Sequence, residues 1–315
     1  MIAWRPIVAL AACMLGAGCA IGPRLQDTPV EVESVPFYAQ TAHQCGPAAL
    51  ATVLDHSGVS VTPDTIADEV YLPGLEGSLQ VEMLAAARRH GRIPFLIPHD
   101  CDALLDELEA GNPVLVLQNL AFERFPKWHY AVVVGYEPER NRFILRSGKK
   151  ERKTENSLMF QRYWRMADYW GMVTVPPGRL PVTATAATWA KAVAGSEKFL
   201  TDKDVEKAYR VALERWPDSA LLLFAAANFH YGQGDLKRAY GEYQRLLDAD
   251  PKHVAGRNNF ANLLLDSGCA QRALGEIRLA ADGLQDDDPL SPAVEDSLAR
   301  TQSALKKGSA NCRLN

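Results

Sequence analysis

The hydrophobic rhythm of the chain changes twice. Residues 7–15 form an unbroken apolar run, shorter than the roughly 20 residues a membrane-spanning helix needs. From about 30 to 177, helical and strand-like rhythms are mixed. Ala48, Ala49, Leu50, Val53 and Leu54 recur at helical spacing and predict a helix over 46–57. Thr62-Pro63 opens a second helix reaching 71, with Ile66 and Val70 on its inner face. Ser78 stands where it would cap a helix over 79–90, whose Val81, Leu84 and Ala85 share a face. Asp100 caps a helix through Leu108, and Gly111-Asn112-Pro113 stops it. Four later runs read as strands: 114–118, 129–136, 142–146 and 172–175. Helices first and strands later predict an α+β domain.

Residues 176–181, with three prolines and a glycine, break this pattern. Beyond them an Ala-rich helical rhythm runs nearly to the end. Pro217 and Pro251, Tyr209 and Tyr243, Asn228 and Asn262, Gly234 and Gly268, and Ala239 and Ala273 are each 34 residues apart. That period resembles the tetratricopeptide repeat, in which each unit is a helix pair. Gly234 and Gly268 make the turn within a pair, Ala239 and Ala273 permit close helix approach, and Pro251 ends a helix. The resemblance covers about 185–285, with one clear repeat at 220–253 and a capping helix expected over 292–306. The expected organisation is a signal segment 1–18, a linker 19–34, an α+β domain 35–177 and an all-α repeat domain 185–307.

Composition narrows the function. The 315 residues are 47% hydrophobic and 23% charged, which excludes a disordered chain. With 34 Lys+Arg against 38 Asp+Glu the net charge is -4, so no nucleic-acid partner is expected. The six cysteines (13, 19, 45, 101, 269 and 312) form no C-x-x-C pair, so neither a zinc site nor a cofactor is expected. Arg5, the apolar run and Gly16-Ala17-Gly18 before Cys19 make a secretory pattern that resembles the lipobox of bacterial lipoproteins. That resemblance implies acylation of Cys19 and a membrane anchor through it. Ala20 after the cysteine implies the outer membrane, with the chain facing the periplasm. An oxidising compartment would let Cys269 pair with Cys312.

Candidate chemistry gathers in the first domain. In Gln40-Thr41-Ala42-His43-Gln44-Cys45-Gly46-Pro47, Cys45 stands at the start of a helix. The helix dipole there is expected to lower its pKa and favour the thiolate. Gly46 would let a substrate backbone approach, Pro47 suits the first turn, and the Gln40 amide could meet an oxyanion. His129, at the head of a buried strand, is the leading base and His43 the runner-up. His56, His90 and His99 read as helix-end or loop residues.

Gln-Cys-Gly-Pro-Ala-Ala-Leu, the later His-Tyr-Ala-Val-Val-Val-Gly-Tyr strand and the helix-then-strand order resemble the bacteriocin-processing double-glycine leader peptidases, which are papain-like cysteine peptidases. The resemblance implies an α+β papain-like fold over 35–175. It makes Cys45 the nucleophile, His129 the base and Gln40 an oxyanion donor. The family's orienting Asp falls near Arg146-Ser147-Gly148, where no carboxylate stands. Ser147 takes its place here, with Asn141 and Glu137 as alternatives. The expected function is an exported thiol peptidase or related amide or acyl hydrolase acting on a peptide or protein, with the repeats binding a protein partner. The alternative is an inactive peptide-binding module and envelope scaffold. Residues 73–78 read as a turn or cleft wall, 121–128 as an aromatic, basic rim, and 149–153 as a solvated hairpin. Cys101 is given no role.

Overall fold

The computed structural model describes residues 25–40, 44–308 and 312–314. The calls on residues 1–18, Cys19 and His43 lie outside them.

The first domain wraps helices around one antiparallel sheet. Its strands are β1 (Val30–Glu31), β2 (Ile93–Leu96), β3 (Val114–Asn119), β4 (Trp128–Glu137), β5 (Arg142–Ser147), β6 (Lys150–Asn156) and β7 (Gly171–Val175). They lie in the order β2-β7-β3-β4-β5-β6, with β1 added on β4. β3 is buried along its whole length and β4 nearly so. Both faces are covered, which is why their sequences read as apolar runs rather than alternations. β1 reaches β4 at Gly135, where a Cβ would stand 2.4 Å from the Val30 carbonyl oxygen. Only glycine admits that approach.

The helices of this domain are α1 (Cys45–His56), α2 (Pro63–Val70), α3 (Gln80–Arg89), α4 (Cys101–Glu109) and α5 (Ser157–Arg165). Thr62 caps α2 by accepting from the Thr65 N–H, and Asp100 caps α4 by accepting from the Ala103 N–H. Ser78 does not cap α3. The helix starts later, Leu79 is its N-cap, and no side chain caps it. The Ser78 hydroxyl is turned inward against Gly46 instead. β2, β6 and α5 were not legible as pattern. β6 is an edge strand of charged and polar residues, so it carries no apolar alternation.

The repeat region consists of α6 (Ala186–Ala194), α7 (Asp202–Arg215), α8 (Ala220–Gly232), α9 (Leu236–Ala249), α10 (Val254–Asp266), α11 (Ala270–Asp282) and α12 (Ser291–Lys306). Helices α8 with α9 and α10 with α11 are paired neighbours. Gly234 and Gly268 hold φ +77° and +80° at the turns within those pairs. Ala239 and Ala273 are fully buried. The architecture is therefore an α+β sheet domain followed by helical tetratricopeptide-like repeats.

The cores do not divide where the sequence texture does. Trp189, Val205, Tyr209 and Leu222, from α6, α7 and α8, belong to the same buried cluster as the sheet. A second cluster begins at α8 and runs to α12. The proline-rich connection is strapped to α4. Fully buried Glu107 accepts from the Thr183 N–H at 2.9 Å, its hydroxyl at 2.7 Å and Asn112 Nδ2 at 2.5 Å. The Cys269–Cys312 disulfide, with Arg313 N donating to Ser267 O, ties the tail to the turn between α10 and α11.

Candidate active site

Cys45 is the first residue of α1. Its sulfur is met by the backbone N–H groups of Tyr130, Gly46 and Cys45 itself, each of which favours the thiolate. Burial opposes them and is the larger effect, so the thiol pKa is raised. The expectation of a depressed pKa is thus corrected: the helix terminus helps, but desolvation outweighs it. Cys101 lies elsewhere, and its thiol is pushed up to about 12 by burial with Asp102 and Asp100 beside it.

His129 is the second residue of β4. Its Nε2 lies 2.8 Å from Ser147 Oγ at the end of β5. That is the only hydrogen bond of the ring among the described residues. Burial first, then the charges of Lys153 and Lys127, lowers its pKa to about 4. Raised thiol and lowered imidazole together make the resting pair neutral. Because Cys45 Sγ meets the N–H of Tyr130, the residue after His129, the nucleophile lies beside the strand that carries the base.

Gln40 is buried and held from both sides. Its Nε2 donates to the Tyr130 carbonyl at 3.2 Å, and its Oε1 accepts from the Gly148 N–H at 2.8 Å. Its own backbone N–H donates to Gly148 O at 2.8 Å. The amide is thereby fixed to the residue after His129 and the residue after Ser147. A side-chain amide carries two N–H donors. One goes to Tyr130, which leaves the other for a substrate oxygen.

Gln40, Cys45 and His129 line one open cavity of about 1060 Å³. One wall is the 75–80 segment, the other is Pro126–Tyr130, and Ala167 and Asp168 lie at its edge. Both loops named from sequence thus border it, with Leu75, Leu79 and Trp128 exposed. Gly46 has a different role from the one expected. A Cβ there would stand 2.6 Å from Ser78 Oγ and 2.9 Å from Ser78 Cβ, so the glycine admits the wall loop rather than a substrate backbone. At the two ends of α3, Gln80 lines the cavity and the Arg88 guanidinium lies against Gly195.

Asn141 and Glu137 are not at this site. Asn141 accepts from the Tyr136 hydroxyl at 2.7 Å, and Glu137 pairs with Arg152 at 2.6 Å, both at the opposite end of β4. His56 bonds to Gly111 O, and His90 pairs with Glu69. Sequence reading missed Tyr130, Lys153 and Gln118 as neighbours of the site. The available signal for Gln118 was an amide, followed by Asn119, closing an apolar strand. Among the described residues, no three His, Cys, Asp or Glu side chains are grouped to hold a metal, and no helix is long and apolar enough to cross a membrane.

Residues 32–172 match the model of the Peptidase_C39 like family. The match spans most of the first domain and a little under half of the chain. A solved structure described as a C39-like peptidase from Bacillus anthracis is 16% identical, covers 47% of this chain and 98% of its own, and superposes with a TM-score of 0.41. A double glycine motif protease from an AMS/PCAT transporter, in complex with its leader peptide, is 20% identical over 47% of this chain and 98% of its own, with a TM-score of 0.35. On the helical side, the TPR2B domain of yeast Sti1 is 14% identical over 38% of this chain and 94% of its own, with a TM-score of 0.34. No curated protein matches the chain.

Proposed function

We propose that this protein is a cysteine peptidase, with Cys45 as nucleophile, His129 as base, Ser147 orienting the imidazole and Gln40 as oxyanion donor. One observation carries the reading: the Gln40 amide is bonded to the neighbours of both His129 and Ser147, in the cavity that Cys45 lines.

The neutral resting pair sets the order of events. Cys45 Sγ attacks the carbonyl carbon while its proton passes to the His129 nitrogen not held by Ser147. The free Gln40 N–H and the Cys45 backbone N–H receive the developing oxyanion. Collapse breaks the C–N bond, and His129 returns the proton to the leaving amine. Water, deprotonated by His129, then cleaves the thioester and releases the acid. The substrate is a peptide or protein, laid in an open groove with apolar side chains exposed on both walls.

The repeats bind a protein partner, since stacked helix pairs present extended concave surfaces. The chain is exported and anchored through an acylated Cys19, in the outer membrane facing the periplasm. Intact-mass analysis of envelope fractions, with Cys19→Ser as control, tests that part.

For the peptidase, the test is incubation of the full chain with a proteome-derived peptide library, reading new termini by mass spectrometry. New termini that vanish with Cys45→Ser and His129→Ala support it. General-base removal typically costs about 10²–10⁴ in rate. A second reading has its own support, because among the described residues no carboxylate is bonded to His129. It is a peptide-binding module without turnover. Peptides retained by the wild-type chain and by Cys45→Ser alike, with no new termini, would select it.

A further inference from the structure

A base that accepts the Cys45 proton becomes a cation in the wall of a groove, and this inference rests on that reading of His129. Its one bonded side chain, Ser147, is a neutral hydroxyl. Lys127, from the loop before β4, and Lys153, from β6, both work against the cation. Cys45 from α1, Tyr130 on β4, Glu155 on β6 and, on the cavity's other walls, Glu76 and Asp168 are the other ionisable groups of this neighbourhood.

The strand register shows where a compensating group stands. Gln118 on β3 is paired directly with His129 on β4. Paired residues project from the same face with Cβ atoms about 5 Å apart. Ser147 comes from β5, on the other side of β4, so His129 is flanked by Ser147 on one side and Gln118 on the other. Gln118 is fully buried. Its Nε2 donates to Glu155 Oε2 at 3.0 Å. Its Oε1 is buried and has no partner among the described residues. A buried acceptor without a donor is costly, and such a group in a folded protein calls for an explanation, a role in the chemistry of a neighbouring site among them. Glu155 reaches Gln118 although β4 and β5 lie between their strands in the sheet order, so the curl of the sheet brings this carboxylate across.

We propose that Gln118, oriented by Glu155, is a positioning residue for His129: its Oε1 supports the imidazolium formed when Cys45 is deprotonated, on the side opposite Ser147. Neither Gln118 nor Glu155 gains or loses a proton. The amide dipole carries the influence of the Glu155 charge to a ring bonded to no carboxylate among the described residues.

The test uses the full chain with ¹³C-labelled histidine. The His129 titration is followed by NMR, and the rate of Cys45 modification by a peptidyl acyloxymethyl ketone is followed against pH. Glu155→Gln and Gln118→Leu should each move the His129 midpoint down and slow labelling at neutral pH by about tenfold. Gln118→Glu should move the midpoint up by about one unit or more and carry the acid limb of labelling with it. A packing role alone would change the melting temperature and leave both curves in place. Glu155 is partly exposed, so Glu155→Gln and Gln118→Glu carry the test even where Gln118→Leu does not fold. Midpoint and acid limb unmoved in the folded variants overturn the proposal. If His129→Ala abolishes labelling in that case, the base stands and only this proposal fails. If His129→Ala leaves labelling intact, the base reading fails, and this proposal with it.

Discussion

Two imidazoles sit in opposite surroundings in the two regions of this protein. In the repeats, His230 is buried and its Nδ1 meets the Glu242 carboxylate at 2.8 Å. In the sheet domain, the His129 ring is bonded, among the described residues, to the Ser147 hydroxyl alone, with two lysines nearby. A carboxylate–imidazole contact thus stands in the helical scaffold. The ring that has to accept a proton lacks it. A histidine that anchors a helix pair can be held permanently by a charge. A base must stay neutral until its proton arrives, and burial with two lysines keeps His129 neutral.

The largest effect that separates the regions concerns the disulfide. Cys269 and Cys312 close a loop with a sequence separation of 43, so its loss should cost the repeat region about 3–4 kcal/mol. Urea unfolding of Cys312→Ser against wild type measures this. Labelling of Cys45 should not change, because the tail is tied to the α10–α11 turn, outside the first core cluster. A parallel loss of labelling would show that the two regions are not energetically separate.

Next in size is the response to acid. The folded-state pKa of His129 is about 4, against an ordinary value of 6.5. The unfolded chain therefore takes up this proton first, and stability is lost as pH falls from about 6.5 towards 4. The loss reaches roughly 3 kcal/mol at full effect. His129→Asn should flatten that part of the curve in urea titrations at several pH values. Equal slopes for variant and wild type would mean that His129 is not held neutral.

The smallest and sharpest change turns one environment into the other. Ser147→Asp gives His129 the kind of partner His230 already has. Its NMR midpoint should rise by about one to three units, and the acid limb of Cys45 labelling should rise with it. No movement would mean that Ser147 touches the ring without governing it.

Much of this was legible in the chain. The Cys45 helix, the His129 strand, the caps Thr62 and Asp100, and the glycine turns at 234 and 268 follow from local spacing, and all are present. Illegible were β6, whose charged sequence suits a sheet edge, and the sign of the Cys45 shift, which depends on how much chain folds over the sulfur. The choice among Ser147, Asn141 and Glu137 was also out of reach, since three polar residues within eleven positions differ only in which end of β4 they face.

The sequence by itself determined the order of the two regions, the repeat period and the placing of a thiol at a helix start. These rest on contacts a few residues apart, which local rhythm encodes. Tertiary structure alone decided that Gln40 is bonded to Gly148, that Gln118 lies beside His129 under Glu155, and that the first helices share the core of the sheet. Those contacts join residues far apart in the chain. Strand order and sheet curl set them, and no local spacing records either.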